Sequence, residues 1–375
     1  MLNRPSRTET VSGSERFKIF EAFSQAEKEA IYRFRYQVHI SEMSRSIPGI
    51  DHSRQRITDA LDPWSNLGYA ALENGRIIGT VRVTLGKAED FPDDLVRIFQ
   101  LTRFQEFNPN KKIICLGTKV MVDPLFHGTP VFFKLMVRGY EYYREHNIQF
   151  SFGGCNPYLL PMYEQLGYRR FTSGFQDPGY GFVVPILLMP QDIEHFMTIR
   201  SPYLRIAKKY TNSTAAREWY LANFPEASRY PVSLLTGEQE WWNFVSRRAG
   251  YPLSDLAVLN GLNEAEAKSL LHIAVPVECK QGNDFIRRGD VCNELNLLLA
   301  GKMRIADQTG RIFQAKAGDV LGAVGLFEQA YHQADISAVT DCEILTVSRF
   351  SFEKLQRSRP EIGTKLHLPQ NKEGQ

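Results

Sequence analysis

Short strand-forming stretches separated by glycine-containing turns dominate the last third of the chain. Two of these turns carry the same dipeptide, Gly289-Asp290 and Gly318-Asp319. A run of short strands at this spacing is typical of a barrel or a jelly roll. We therefore predict an all-β jelly-roll domain, preceded by a short helix that Asn263 caps and followed by a terminal helix over 350–366.

The first half of the chain instead alternates helical and strand-like segments. Ser24 and Glu27 form a capping box ahead of apolar residues at helical spacing, which predicts a helix over 25–40. The Asn74-Gly75 pair predicts a hairpin with a two-residue type I′ turn between strands at 69–72 and 77–85. Further strands are predicted at 113–122, 149–152 and 182–188, and helices at 131–145 and 159–166. This mixture predicts an α+β fold with a mixed sheet and flanking helices.

The chain has 375 residues, enough for two or three domains, and its 43% hydrophobic content excludes a disordered chain. We divide the sequence into a flexible tail (1–16), a first domain (17–203), a helical connector (204–256) and the all-β domain (257–375). The connector has helical patterning with breaks at prolines, among them Pro225 and Pro231.

The distribution of charge and the cysteine content limit the classes of binding partner and the cellular compartment that we expect for this chain. The net charge of +3 gives no sign of nucleic-acid binding, but residues 1–210 hold 27 basic and 22 acidic side chains, so an anionic partner belongs to the first half. The five cysteines contain no C-x-x-C pair, which disfavours a disulfide framework and a metal site. With no signal peptide and no apolar stretch of membrane-spanning length, we expect a cytoplasmic protein without a membrane span.

The segment from Asn156 to Tyr158, followed by Tyr163-Glu164-Gln165-Leu166-Gly167-Tyr168, resembles the Asn…Tyr-x-x-x-Gly-Phe signature of the GNAT acyltransferases. Arg35-Tyr36-Gln37-Val38, the pair Asp59 and Asp62, and Arg82 look more narrowly like the acyl-homoserine-lactone synthases and the related N-acyl amino acid synthases. The resemblance covers about residues 17–203. It implies a GNAT-type sheet and the transfer of an acyl group from a thioester to an amine.

The resemblance also implies roles for the residues around the thioester. In that family a backbone N–H of a splayed strand binds the thioester carbonyl, which points here to Val120 to Val122. Tyr163 would protonate the departing thiolate, and Asn156 would belong to the same substrate site. Tyr163 also has a purely structural alternative as a core tyrosine.

Asp59 and Asp62 lie three residues apart, so in a helical turn both carboxylates could face the ammonium group of a small zwitterionic acceptor. Arg35 and Arg82 would then either meet the carboxylate of that acceptor or hold the acidic loop. The structural alternatives are a helix cap or a solvated loop for the aspartates and an ordinary ion pair for Arg35.

The loop that cradles the coenzyme A pyrophosphate in GNAT enzymes reads His127-Gly128-Thr129-Pro130-Val131-Phe132 in this chain. Pro130 has no N–H to donate, and Phe132 crowds the approach. Acyl carrier protein presents the same phosphopantetheine arm without the nucleotide. We therefore predict acyl carrier protein as the donor partner, acyl-coenzyme A as a poorer donor, and no tightly bound cofactor.

A second departure concerns the strand where the lactone synthases carry a Glu-x-Ser-Arg pattern. The aligned residues here run from Leu116 to Lys119, so the acidic residue is missing. Deprotonation of the acceptor would then fall to a water near Asp59, Asp62 or Glu42, or to no group if the domain has lost activity.

The last third of the chain, from Ala257 to about Lys365, resembles a cyclic nucleotide-binding domain of the catabolite-activator type. In that family a Glu for the ribose hydroxyl and an Arg for the cyclic phosphate follow the position of Gly322. Here Ala323 holds the acidic position, and His332 or Gln333 holds the arginine position. Both charged contacts are missing, so we expect cyclic AMP and cyclic GMP to bind weakly.

The degenerate cassette in this domain includes Gly322, Ala323, Gly325, Leu326, His332 and Gln333. It would bind another small-molecule effector, or the domain would serve as a structural or dimerising module and make the chain a homodimer.

Taken together, the sequence predicts an N-acyltransferase that moves a fatty acyl group from acyl carrier protein to the amine of an amino-acid-like acceptor, under the control of the C-terminal barrel. The rival hypothesis is a non-catalytic sensor, in which a degenerate acyltransferase fold binds an acyl ligand or its carrier and the barrel transmits the signal.

Overall fold

The computed structural model describes residues 16–42, 49–229, 231–328 and 330–366. The predicted tail therefore lies almost entirely outside the described residues. The chain divides into two compact units, one of residues 1–96 with 100–151 and the other of residues 97–99 with 152–375. The domain boundaries drawn from the sequence at 203 and 256 stay predictions.

The first unit is built on four antiparallel strands that lie in the order β1, β4, β5, β6. Its elements in chain order are β1 (Phe17–Glu21), α1 (Gln25–Glu42), β2 (Ile50–Asp51), β3 (Arg56–Ile57), β4 (Asn66–Leu72), β5 (Ile77–Gly86), α2 (Asp93–Ile98, which ends in the second unit), α3 (Leu101–Gln105), β6 (Ile114–Val122) and α4 (Val131–Glu145). Helix α4 packs closely against β5 at Gly79, which has no side chain. A Cβ atom there would lie only 2.8 Å from Cδ1 of Leu135 in α4.

The second unit begins with a smaller sheet and a series of helices. Its elements up to residue 272 are β7 (Phe150–Cys155, which begins in the first unit), α5 (Leu160–Leu166), β8 (Arg169–Arg170), β9 (Phe175–Asp177), β10 (Gly181–Leu188), α6 (Ile193–Thr198), α7 (Leu204–Ala207), α8 (Ala215–Asn223), α9 (Glu238–Ala249) and α10 (Glu264–His272). Every residue of β10 is buried, and both β8 and β9 pair with this strand antiparallel.

The remainder of the second unit is a β-barrel of short strands. Its elements are β11 (Val275–Cys279), β12 (Asp284–Ile286), β13 (Val291–Cys292), β14 (Glu294–Ala300), β15 (Lys302–Ala306), β16 (Ile312–Lys316), β17 (Val320–Leu321), β18 (Ala330–Tyr331), β19 (Asp335–Ala338), β20 (Cys342–Ser348), α11 (Arg349–Ser358) and α12 (Pro360–Lys365). Two four-stranded sheets, β11-β20-β14-β17 and β12-β19-β15-β16, and the pair β13-β18 form it. Leucines of β14 and β20 pack with Trp241 of α9 and Phe352 of α11 in one apolar core.

The predicted fold class is confirmed: a mixed α/β region precedes an all-β region, and most elements lie where the sequence places them. The capping box is also confirmed, because Glu27 N–H donates to Ser24 Oγ (3.2 Å) and Ser24 N–H donates to Glu27 Oε2 (2.9 Å). These hydrogen bonds, the one to the Ser24 backbone above all, lower the pKa of Glu27 to about 2.

The turn type predicted for the hairpin is wrong. Gly75 N–H donates to Leu72 O (2.9 Å) and Leu72 N–H donates to Arg76 O (3.0 Å), so three residues form the loop. Gly75 alone has a positive φ, of 83°. A type I turn closed by a left-handed glycine gives this three-residue loop, whereas a type I′ turn would need a positive φ at Asn74 as well.

The predicted terminal helix is two helices, α11 and α12, because Pro360 lacks the N–H that would continue α11 and instead starts α12 at its first position. Within the described ranges, no helix combines the length and apolarity that crossing a membrane requires.

Candidate active site

A buried ionic cluster ties α1 to β5 in the first unit. Arg35 of α1 and Arg82 of β5 are at most 2% exposed, and so is Asp62 at the start of a 3₁₀ turn between them. Asp62 Oδ1 accepts from Arg35 Nη1 at 2.7 Å and lies 3.1 Å from Arg82 Nη1. One carboxylate therefore contacts two buried guanidinium groups at once.

Asp59 joins this cluster from the same loop. Its backbone N–H donates to Asp62 Oδ2 (2.8 Å), and its own Oδ1 accepts from Leu61 N–H (3.0 Å) and from Arg82 Nη1. Burial tends to raise the pKa of the Asp59 carboxyl, but the hydrogen bond and charge of Arg82, helped by Lys119, outweigh it and lower that pKa. The Asp59 interactions therefore stabilise the fold above pH about 4 and are lost as pH falls through the lowered pKa.

A β-bulge in β6 adds two residues to the cluster. Thr80 pairs with Met121 and Arg82 with Thr118, so Lys119 and Val120 both stand opposite Val81. Lys119 has a left-handed backbone, with φ 51°, and its Nζ lies 3.7 Å from Asp59 Oδ2. Thr118 Oγ1 accepts from Arg82 Nε at 2.9 Å.

The bulge interrupts the strand at the position where sequence reasoning expects the carbonyl-binding backbone of Val120 to Val122. Val122 itself keeps its partner on β5, Gly79. Sequence reasoning noted Lys119 only as part of a departure from a pattern and missed its contact with Asp59. The available signal was its alignment with a basic position of the lactone synthases.

The cluster matches the alternative in which the arginines hold the acidic loop. Asp62 receives both guanidinium groups, and Asp59 receives that of Arg82, so neither carboxylate is left without a cation. Among the described residues the cluster brings Arg35, Arg82 and Lys119 around these two carboxylates. Arg35 Nε and Nη2, both buried, have no hydrogen-bond partner among the described residues. The side chain of Glu42, the third candidate for acceptor deprotonation, lies outside the described residues.

Tyr163 lies on α5 in the second unit and is only 8% exposed. Its ring contacts the Tyr168 ring edge-on, with centroids 5.4 Å apart. Burial above all, together with the neighbouring Cys155, Tyr168 and Tyr158, raises the pKa of the Tyr163 phenol well above 10.0. The phenol is therefore protonated throughout the physiological range, as a proton donor must be; its catalytic role stays a prediction.

Asn156 lies at the end of β7 and connects it to β10. Its Nδ2 donates to Tyr180 O (2.8 Å) and to Phe182 O (3.0 Å). These two hydrogen bonds fix the amide and use both of its N–H groups. Any contact with substrate therefore falls to the amide oxygen.

The loop from His127 to Thr129 leads into α4 and uses its polar groups internally. The ring Nε2 of His127 lies 3.2 Å from Val122 O, and Thr129 Oγ1 donates to Phe126 O at 2.7 Å. The backbone N–H groups of His127 and Thr129 donate to Pro124 O (3.3 Å) and Phe126 O (3.2 Å). Gly128 between them has a φ of 78°, and Pro130 is the N-cap of α4.

The degenerate cassette places His332, and not Gln333, inside the barrel. His332 is 3% exposed, and its Nδ1 accepts from the backbone N–H of Ala323 at 3.2 Å. The ring also fills the space beside Gly322, where a Cβ atom would lie 2.5 Å from Nδ1. Gln333 is exposed and donates to Tyr331 O.

The remaining cassette residues are packed against the barrel wall. Leu326 is buried in the apolar core. Gly325 N–H donates to Glu294 O (2.8 Å), and a Cβ atom at Gly325 would lie 2.2 Å from Cys292 O. The ring of His332 and the backbone of Cys292 therefore occupy the space beside the two cassette glycines.

Comparison with protein families agrees with this architecture. Residues 30–191 match the family model of the N-acyl amino acid synthase FeeM, and residues 276–359 match that of the cyclic nucleotide-binding domain. No curated protein matches the chain. The two matches confirm the predicted order, in which an N-acyltransferase domain of the N-acyl amino acid synthase type precedes a cyclic nucleotide-binding domain.

Solved structures resemble each part separately. FeeM, an N-acyl amino acid synthase from uncultured soil microbes, is 14% identical over 52% of this chain and 99% of its own, with a TM-score of 0.41. The AHL synthase LasI is 14% identical over 47% of this chain and 91% of its own, with a TM-score of 0.36. The Thermus thermophilus catabolite activator protein is 24% identical over 29% of this chain and 54% of its own, with a TM-score of 0.26. The assignment depends on the family matches.

Asp62→Asn should destabilise the first unit strongly, because it removes the one charge between two buried guanidinium groups. We expect a loss of about 3–5 kcal/mol in the free energy of unfolding, measured in urea on the full chain. Asp59→Asn is the matched control, since the Asp59 side chain is 32% exposed and should cost clearly less. Equal losses for the two variants would show that Asp62 is not the centre of the cluster.

Proposed function

We propose that this chain transfers a fatty acyl group from acyl carrier protein to the amine of an amino-acid-like acceptor, and that the C-terminal barrel regulates the transfer. The observation that carries the proposal is the cluster of Arg35, Arg82 and Lys119 around two carboxylates, within the region that matches the N-acyl amino acid synthase model.

The three cations of this cluster favour an acceptor that carries a carboxylate. Buried guanidinium groups bind carboxylates strongly, because charge-assisted hydrogen bonds in a low dielectric are stronger than those in water. Asp59, whose side chain is 32% exposed, is then the carboxylate available to the acceptor's amine.

The loop before α4 supports a carrier protein over coenzyme A as the donor. Its amides at His127 and Thr129 already donate within the loop, and Pro130 has no N–H. A nucleotide pyrophosphate would therefore find few free donors at this helix N-terminus. The excess of basic side chains in the first 210 residues favours an acidic protein partner.

The donor is tested by comparing thioesters that carry the same fatty acid. We expect kcat/KM for acyl carrier protein to exceed that for acyl-coenzyme A by at least about tenfold, since the carrier adds binding that the nucleotide cannot replace. Acyl-pantetheine is the control that measures binding of the arm alone. A higher kcat/KM for acyl-coenzyme A contradicts the proposal, and no turnover with any thioester and any amino acid favours the non-catalytic sensor.

Tyr163→Phe should lower kcat about 10²-fold if the phenol protonates the departing thiolate. The variant keeps the ring and its edge-on contact with Tyr168. Tyr168→Phe is the matched control, because it changes the other ring of the same pair. Because the pKa of Tyr163 is raised above 10.0, the wild-type rate should show no loss from its ionisation below pH about 10. An unchanged kcat in Tyr163→Phe would show that Tyr163 has only a structural role.

Regulation by the barrel is supported by a buried arginine that joins it to the helix of Tyr163. Arg170 of β8 pairs with Glu164 of α5 at 2.9 Å, and each side chain is 2% exposed. The same guanidinium donates to Pro276 O in β11 and to Pro231 O (2.6 Å) in the connector. A shift of β11 would therefore reach Glu164, the neighbour of Tyr163 in the chain, through the guanidinium group of Arg170.

A second contact between these parts is aromatic. Phe182 of β10, whose carbonyl accepts from Asn156, has its ring centroid 5.2 Å from that of Phe285 in β12. The 3₁₀ turn Pro157–Leu159, which connects Asn156 to α5, packs against β20. The barrel thus contacts the residues around both Asn156 and Tyr163.

Phe285→Leu in the barrel should change kcat of acyl transfer several-fold, because it loosens the contact with Phe182 while preserving most of the buried volume. Phe313→Leu is the control, since Phe313 is 40% exposed on barrel strand β16. The measurement is steady-state turnover of the full chain at a temperature where both variants keep the wild-type melting profile. Equal turnover in both variants and the wild type would show that the barrel does not influence the reaction.

A further inference from the structure

Three side chains with metal-ligand chemistry converge inside the barrel. The ligand atoms of Cys292, Glu294 and His332 all lie within 4.8 Å of one another, and the three residues are 0%, 7% and 3% exposed. The cluster lies beside the degenerate cassette, since the same His332 ring accepts from Ala323. It is separate from the residues proposed for acyl transfer.

The barrel strands hold the three residues together. Cys292 is in β13, which pairs with β18 at Ala330, and His332 directly follows β18. Glu294 begins β14 two residues after Cys292, so the two side chains lie on the same face of an extended segment. The sequence contains no spacing motif for this group, which is why the cysteine count alone pointed away from a metal.

The carboxylate is oriented by neighbours that are themselves fixed. Glu294 Oε2 accepts from Asn293 N–H (2.8 Å), and Glu294 Oε1 accepts from Asn296 Nδ2 (3.3 Å). Asn296 Oδ1 in turn accepts from Thr346 Oγ1 at 2.7 Å. Such outer hydrogen bonds are what orients the ligands of protein metal sites.

The carboxylate of Glu294 lacks a permanent cation. Among the described residues its one ion-pair partner is His332, whose Nε2 lies 3.5 Å from Oε1. A buried carboxylate without a compensating charge is costly. A metal ion at the point where the three side chains converge would supply that charge.

We propose that Cys292, Glu294 and His332 form a site for a transition-metal ion of the zinc class. Thiolate and imidazole ligands select zinc-like ions and disfavour magnesium and calcium, which prefer oxygen ligands. In a tetrahedral zinc site, bonds of about 2.0–2.2 Å place nitrogen and oxygen ligands roughly 3.3–3.6 Å apart. The 3.5 Å separation of His332 Nε2 and Glu294 Oε1 fits this requirement.

Binding requires a definite movement of protons. In the metal-free chain His332 Nδ1 accepts from Ala323 N–H, so the ring proton is on Nε2. A metal ion on Nε2 moves that proton to Nδ1, and it replaces the thiol proton of Cys292, which leaves for solvent. One proton is therefore released for each metal ion bound. Ala323 loses its acceptor, so the cassette loop shifts when the metal binds.

The full chain, purified without a histidine tag and freed of metal by a chelator, tests the site directly. We expect it to take up one equivalent of zinc by elemental analysis, with release of one proton in weakly buffered indicator solution. Cobalt(II) in place of zinc should give a thiolate-to-cobalt charge-transfer band and the strong visible bands of a tetrahedral ion. Absence of zinc uptake and of this band in the wild-type chain overturns the proposal, even if every variant misfolds.

Variants then identify the ligands. Cys292→Ser should abolish the charge-transfer band, whereas Cys342→Ser should keep it, because Cys342 is a buried barrel thiol outside the group whose ligand atoms converge. Asn296→Ala should weaken zinc binding about 10- to 100-fold by releasing Glu294. A band that survives in Cys292→Ser and disappears in Cys342→Ser assigns the metal to another thiol and overturns the proposal.

Discussion

The position of Asp62 between two buried arginines is the constraint on which the first unit depends. Arg35 extends from α1 and Arg82 from β5, and neither guanidinium has access to water that could solvate its charge. The loop that carries Asp62 must therefore remain against the sheet. Because Arg82 also donates to Thr118, the same ion cluster fixes β6 at its bulge, where the family resemblance predicts the thioester-binding backbone. The residues that compensate the buried charges therefore also fix the path of β6.

Much of this arrangement could be predicted from the sequence, and the limits have physical causes. The capping box of α1 and the position of the first hairpin depend on neighbouring residues, so local patterns reveal them. The turn type depends on whether Asn74 adopts a positive φ, which strand register decides and local sequence does not. The arginines and aspartates were found through a family motif. The contact between Lys119 and Asp59 was missed because it exists only where a bulge changes the register of β6.

In the second unit one buried arginine contacts three parts of the chain. Arg170 satisfies a carboxylate on α5 and two backbone carbonyls, one in the connector and one in the barrel. A buried ion pair contributes little net stability, because desolvation offsets its attraction, but its directional hydrogen bonds tolerate little displacement. The pair is therefore better suited to fixing the relative geometry of α5 and β11 than to holding them together. Sequence reasoning had no signal for it, since both carbonyl acceptors are backbone atoms remote in the chain.

The charges inside the barrel bear on which ligand chemistry it favours. A cyclic nucleotide carries a phosphate anion, which related domains meet with an arginine. This chain offers an imidazole at that position and places the carboxylate of Glu294 3.5 Å from it. A phosphate there would face a buried negative charge, and the repulsion is strong because the low dielectric of the interior screens it poorly. The same carboxylate, joined by a thiol and an imidazole, attracts a cation for the same reason. The sign of the local charge, more than the barrel fold, therefore decides which class of ligand this domain accepts.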